Sequence, residues 1–95
     1  MSKKEAYEKK LQSQLDEWNA EIAKLKAKAD AAEADAQIEY HKQIEELRTL
    51  QNKAKCKINE LKESGDSAWE DLTTGIDRAW DSLSNAVKSA KSRFK

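Results

Sequence analysis

The sequence has no proline and only two glycines, Gly65 and Gly75, in 95 residues. Proline and glycine are the residues that most often interrupt helices and strands, so this chain offers few positions where a helix must stop. Ala, Glu, Lys, Leu and Gln dominate the first two thirds, and these side chains lose little freedom on a helix. The sequence therefore predicts an all-α protein.

Apolar residues recur at alternating spacings of four and three through the first part of the chain. This spacing is typical of a heptad seam, the line of side chains that packs against another helix in a coiled coil. The seam contains Leu11, Leu15, Trp18, Ile22, Leu25, Ala29, Ala32 and Ala36. After one additional four-residue step, the pattern resumes as Tyr40, Ile44, Leu47, Gln51, Ala54, Ile58 and Leu61. We predict one long coiled-coil helix over residues 3–63, within a first domain of residues 1–64.

A turn and a second helix are predicted after the long helix. Gly65 fits the left-handed conformation that often follows a helix end, and Ser67 with Glu70 matches a capping box. The apolar residues that follow lie on one narrow stripe of a helix predicted over residues 67–92. This stripe comprises Trp69, Leu72, Ile76, Trp80, Leu83, Val87, Ala90 and Phe94. The second domain, residues 65–95, is therefore predicted to be an amphipathic helix.

A reversal at Gly65 would pair the two helices as an antiparallel hairpin. Facing residues would then have numbers that sum to about 130, which places Trp69 beside Leu61 and Phe94 beside Ala36. Large side chains repeatedly face small ones in this register, as close packing requires. The predicted packing residues are Tyr40, Ile44, Leu47, Ala54, Ile58, Leu61, Trp69, Leu72, Ile76, Trp80, Leu83, Val87 and Phe94.

The hairpin leaves the N-terminal arm of the long helix uncovered. At about 1.5 Å per residue the long helix would span roughly 90 Å and the second roughly 40 Å. An uncovered apolar seam does not offset the entropy lost on ordering the chain. We therefore predict an oligomeric bundle in which the seam, from Leu11 to Ala36, binds a second copy of the chain. A dimer is the first expectation and a tetramer the second, and an unidentified protein is a further predicted partner.

His41 and Cys56 carry the side chains best suited to catalysis or metal binding, and neither has the neighbouring residues that such a site requires. His41 has Glu45 one turn away, whereas a metal site needs three or four convergent ligands. Cys56 lies on the outer face of the predicted helix without a base or an oxyanion site. We interpret His41 as a solvated residue and Cys56 as an exposed thiol. The sequence predicts no enzyme activity, no metal and no cofactor.

Charge and cysteine content narrow the partners and the location. The 18 basic and 18 acidic residues are interspersed, so no basic patch is predicted to bind nucleic acid. The single cysteine, the lack of a secretory signal and the lack of a long apolar stretch favour the cytoplasm. The alternative function is lipid-surface binding by the second helix through Trp69 and Trp80. The apolar stripe of this helix is narrow and flanked by acidic residues, which favours packing within a bundle over binding to a lipid surface.

The run KLQSQLDEWNAEI at residues 10–22, with AWEDL at 68–72 and AWDSL at 79–83, resembles small uncharacterised bacterial proteins with coiled-coil domains. The likeness spans most of the chain. It implies a bacterial cytosolic helical protein and brings no catalytic residues to transfer. The short repeat near the end is also loosely similar to apolipoprotein-like and desiccation-protective helices.

Overall fold

In a computed structural model of the chain, residues 3–65 and 67–94 are described, and they form three helices and no strand. The helices are α1 (Lys3–Ala31), α2 (Ala34–Glu63) and α3 (Trp69–Arg93). The all-α prediction is confirmed. The predicted domain limits at residues 1 and 95, and position 66 of the predicted turn, lie outside the described residues.

The predicted long helix is interrupted at Ala32 and Glu33, so the prediction of one helix over residues 3–63 is wrong. The largest dimension of the molecule is 51 Å, whereas a straight helix over that range would span roughly 90 Å. The seam near the break consists of alanines, which gain little from burial against a distant partner. Reversing the chain there packs Leu11 to Leu25 against the rest of the same molecule.

Side chains of α2 stabilise the α1–α2 turn. The Gln37 Nε2 group donates to the carbonyls of Asp30 at 3.0 Å and Ala32 at 2.9 Å. His41 Nε2 lies 3.1 Å from Asp30 Oδ1, so His41 has a polar partner on α1 in addition to solvent. Carbonyls at a helix end lack partners within their own helix. Gln37 therefore supplies donors where neither glycine nor proline marks the turn.

We expect Gln37→Ala to lower the free energy of unfolding by about 1 kcal/mol, because two carbonyls at the turn lose their donor. Urea denaturation followed by circular dichroism measures this change. Gln43→Ala is the matched control, since Gln43 lies on the same helix and makes no side-chain hydrogen bond within residues 3–65 and 67–94; its expected change is below about 0.5 kcal/mol. If Gln37→Ala and Gln43→Ala had the same free energy of unfolding, the hydrogen bonds of Gln37 would not stabilise the α1–α2 turn.

The direction of each helix follows from its contacts. Lys4 donates to the Ser64 carbonyl at 2.6 Å, and Asn19 accepts from Gln51 at 3.0 Å, so α1 and α2 are antiparallel. α3 packs against α2 in the opposite direction and therefore runs parallel to α1. The result is a three-helix bundle in which each helix is antiparallel to the next one in the sequence.

The core contains the apolar stripes of all three helices. Its buried apolar side chains are Leu11, Leu15, Ile22, Leu25, Ala29, Ile44, Leu47, Ala54, Ile58, Leu61, Ile76, Trp80, Leu83, Val87, Ala90 and Phe94. The other predicted packing residues are half-buried, namely Trp18, Ala32, Ala36, Tyr40, Trp69 and Leu72. The predicted oligomer seam is thus covered within one chain. Self-association stays a prediction, but burial of the seam does not require it.

The α2–α3 turn differs from the predicted left-handed one. Ser64 ends α2 in an extended conformation, and no described glycine has a positive φ. α3 begins after Ala68 without a side-chain cap, so the predicted capping box of Ser67 is not formed. The Phe94 ring stacks on Tyr40 with centroids 4.3 Å apart instead of lying beside Ala36. The helices are therefore displaced by about one turn from the predicted register.

Candidate binding groove between the first and third helices

α1 and α3 contact each other less extensively than either contacts α2, and two adjoining cavities lie between them. We call these two cavities together the α1–α3 groove. The first, of about 340 Å³, is lined by Tyr7, Lys10, Leu11, Gln14, Trp18, Asp77, Trp80, Asp81 and Ser84. The second, of about 370 Å³, is lined by Glu17, Trp18, Ala20, Glu21, Ser84, Val87, Lys88 and Lys91. Trp18 and Ser84 belong to both and mark the middle of the groove.

Aromatic rings fill the contact between these two helices. The Trp18 and Trp80 rings lie 6.4 Å apart with their planes tilted by 53°, and Tyr7 lies 5.8 Å from Trp69. The distance between packed helices depends on the side chains at their contact. Four large rings therefore lie at the contact of α1 and α3, and three of them, Tyr7, Trp18 and Trp80, also line the first cavity.

Tyr7 and Asp77 join the two walls of the first cavity. The Tyr7 hydroxyl donates to Asp77 Oδ1 at 2.6 Å, between residues 70 positions apart along the chain. Burial of the phenol, its hydrogen bond to Asp77 and the charge of that carboxylate raise the pKa of Tyr7 above its ordinary value. A tyrosine phenol is already protonated at neutral pH, and the raised pKa keeps Tyr7 a donor to Asp77 into more alkaline solution.

Trp80 lines the first cavity and contains a polar atom without a partner. Its side chain is 5% exposed, and its Nε1–H has no acceptor among the described residues. Buried donors in folded proteins are usually paired, because an unpaired one loses its hydration without replacement.

The charges along the groove differ between its ends. At one end Lys91 Nζ pairs with Glu21 Oε2 at 3.4 Å, so opposite charges on the two walls balance. Among the described residues that line the first cavity, Asp77 and Asp81 on α3 are accompanied by one basic residue, Lys10 on α1. This cavity therefore has one excess negative charge next to the rings of Tyr7, Trp18 and Trp80.

Cys56 and His41 lie outside the α1–α3 groove. Cys56 is exposed and lines a separate cavity of about 430 Å³, beside Lys53 and Lys57 of α2 and Ala79 of α3. His41 lies at the α1–α2 turn. Within residues 3–65 and 67–94, no group of three or more His, Cys, Asp or Glu side chains is arranged to hold a metal ion.

Sequence reasoning found only part of the groove. It placed Leu11, Trp18, Trp80 and Val87 on packing stripes, where the structure has them. It did not select Tyr7, although Tyr7 precedes Leu11 by four residues and extends the seam. Asp77 and Asp81 were recognised only as flanking acids, because α1 was not expected beside α3.

No helix in the described part of the chain combines the length and hydrophobicity needed to cross a membrane. Comparison of the sequence with protein-family models and with curated proteins, and of the fold with solved structures, gave no match.

Proposed function

We propose that this chain is a non-enzymatic interaction module of the cytoplasm that binds a helical segment of another protein in the α1–α3 groove. The observation that carries the proposal is the half-buried Trp18 at the centre of an open groove with charged residues on both walls. Tryptophan and tyrosine are enriched at the energetic centres of protein interfaces. Charged residues around such a centre select the partner and fix its register.

The dimensions of the groove favour a helix as its occupant. Along α1 it extends from Tyr7 to Glu21, roughly 20 Å at about 1.5 Å per residue. A partner helix of about four turns fits this length and would complete a four-helix arrangement. Helices that bind in grooves use apolar anchors at spacings of three and four residues. Trp18, which is half-buried in the middle of the groove, offers the apolar contact for such an anchor.

A second copy of the chain is the second choice of partner, as a dimer before a tetramer. Association through the seam would require α1 to separate from the other helices, because Leu15, Ile22 and Leu25 are buried within the chain. The interspersed charges do not favour nucleic acid as a partner.

Lipid-surface binding remains the alternative function. It would require α3 to leave the bundle, because Trp80 is buried and Trp69 is half-buried against the core. That separation exposes the apolar stripes of α1 and α2 to water, which opposes it.

Ser84→Arg tests the proposed function, because an arginine at this half-buried position in the middle of the groove would block it without removing a core side chain. Ser89→Arg is the matched control, since Ser89 lies exposed on the same helix outside the groove. We expect the tagged wild type and Ser89→Arg to retain the same partner from a lysate of the native host, and Ser84→Arg to lose it. Equal retention by all three would exclude the groove.

Co-sedimentation of the same three proteins with vesicles tests the alternative function, lipid-surface binding. Binding of the folded wild type to anionic vesicles, unaffected by Ser84→Arg, would favour a lipid surface over a protein partner. We expect no vesicle binding, because the apolar stripe of α3 contacts the core.

A further inference from the structure

The first cavity of the α1–α3 groove combines aromatic rings with carboxylates, and we propose that it binds the guanidinium group of an organic cation. The site consists of Tyr7, Trp18 and Trp80, with Asp77 and Asp81 at one wall. This inference goes beyond the proposed function, because a small guanidinium compound would bind there without a protein partner. At about 340 Å³ the cavity is within the size range of small-ligand sites.

The rings provide the first part of the recognition. Aromatic faces carry partial negative charge and attract cations placed within about 6 Å of the ring centre. Both Trp18 and Trp80 line the cavity, where the half-buried Trp18 is the more accessible ring and the buried Trp80 packs 6.4 Å beside it. A flat guanidinium stacks on such rings more favourably than a strongly hydrated ammonium does.

The carboxylates provide the second part. Asp77 Oδ1 accepts the Tyr7 hydroxyl, which leaves Asp77 Oδ2 for a ligand. Asp81 takes part in no ion pair within residues 3–65 and 67–94. Carboxylates bind guanidinium through two parallel hydrogen bonds. Lys10 is the one basic residue among the described residues that line the cavity, and it offsets one of the two carboxylates.

The choice among cations follows from the kinds of atoms present. Within the described residues no group of three or more His, Cys, Asp or Glu side chains could hold a metal ion, and the first cavity has two carboxylates, Asp77 and Asp81. Aromatic faces contribute little to a small, hydrated inorganic ion. A planar organic cation uses both the rings and the carboxylates.

The test is a titration of the full chain with acetyl-arginine-amide, followed by the nuclear magnetic resonance signals of the three tryptophan indole N–H groups. We expect saturable shifts of the Trp18 and Trp80 signals, with a dissociation constant on the order of 1 mM. Acetyl-citrulline-amide has nearly the same shape without the charge and should bind at least about tenfold more weakly. Equal binding of the two compounds would overturn the proposal.

Two variants assign the binding to this cavity. Asp81→Asn should weaken the binding of acetyl-arginine-amide by about tenfold, because a charged partner of the guanidinium is lost. Asp71→Asn makes the same change at an exposed position of α3 that does not line the cavity, and it should leave binding unaltered. Both side chains are exposed, so both variants should fold. If Asp81→Asn bound as tightly as Asp71→Asn, the assigned site would be wrong.

A helical peptide with one central arginine distinguishes the two sources of the guanidinium. Binding more than about tenfold tighter than acetyl-arginine-amide, and lost on replacing the arginine by citrulline, indicates an arginine of a partner helix. Equal affinity of the peptide and the small compound indicates a site for a free cation. Peptide binding that persists with citrulline would count against the guanidinium.

Discussion

Trp80→Ala is expected to lower the free energy of unfolding by about 3 to 5 kcal/mol, the usual loss when a buried tryptophan is truncated. Trp80 is 5% exposed and packs beside Trp18 between α1 and α3. The substitution leaves a cavity that both helices would have to collapse to fill. Urea denaturation followed by circular dichroism measures the loss. The melting temperature of Trp80→Ala should also be lower than that of the wild type when both are measured in buffer without vesicles.

Two further substitutions separate the sources of this loss. Trp80→Phe keeps much of the buried ring area and removes the unpartnered Nε1–H, so its loss should be clearly smaller, below about 3 kcal/mol. Trp69→Ala removes a half-buried ring and should also cost less than Trp80→Ala. If Trp80→Ala left thermal stability unchanged but abolished co-sedimentation with vesicles, α3 would be a lipid anchor.

Ile22→Ala is expected to lower the free energy of unfolding by about 2 to 5 kcal/mol at every protein concentration. Ile22 is fully buried, and the core that covers it belongs to the same chain. A side chain buried within a monomer contributes equally at low and high concentration, whereas one buried between copies stabilises more as the concentration rises. Melting curves over about a hundredfold range of concentration distinguish the two cases.

Lys24→Ala is the control for Ile22→Ala, because Lys24 is exposed on the same helix, and its change should stay within about 0.5 kcal/mol. A wild-type melting temperature that rises with concentration, together with loss of this dependence in Ile22→Ala, would show that the seam binds a second copy. Light scattering on the same samples reports the mass directly.

The sequence by itself determined the helical class and the buried face of each helix. The chain has no proline and two glycines, and Ala, Glu, Lys, Leu and Gln dominate its first two thirds, so few residues oppose a helix locally. The periodicity of Leu11, Leu15 and Ile22, and of Ile76, Trp80 and Leu83, specified which sides are buried. Local pattern was sufficient there because a helix must bury its apolar face whatever covers it.

Only the tertiary structure decided where the first helix ends and what covers the seam. No residue near Ala32 and Glu33 stops a helix, so the break has no strong local signal. Interrupting the helix costs a few hydrogen bonds, part of which Gln37 restores from four residues beyond the break. Packing Ile22 and its neighbours against α2 and α3 stabilises the molecule more than those bonds would.

The groove depends entirely on that reversal. Tyr7 meets Asp77, and Trp18 meets Trp80, only because the turn at Ala32 brings α1 alongside α3 in the parallel direction. The sequence pattern indicates which residues are apolar and which of them share a helix face. It does not indicate that Tyr7 contacts Asp77, which lies 70 positions away along the chain. Long-range pairing is set by the summed packing of all three helices, and for this reason the first cavity could not be located before the fold was known.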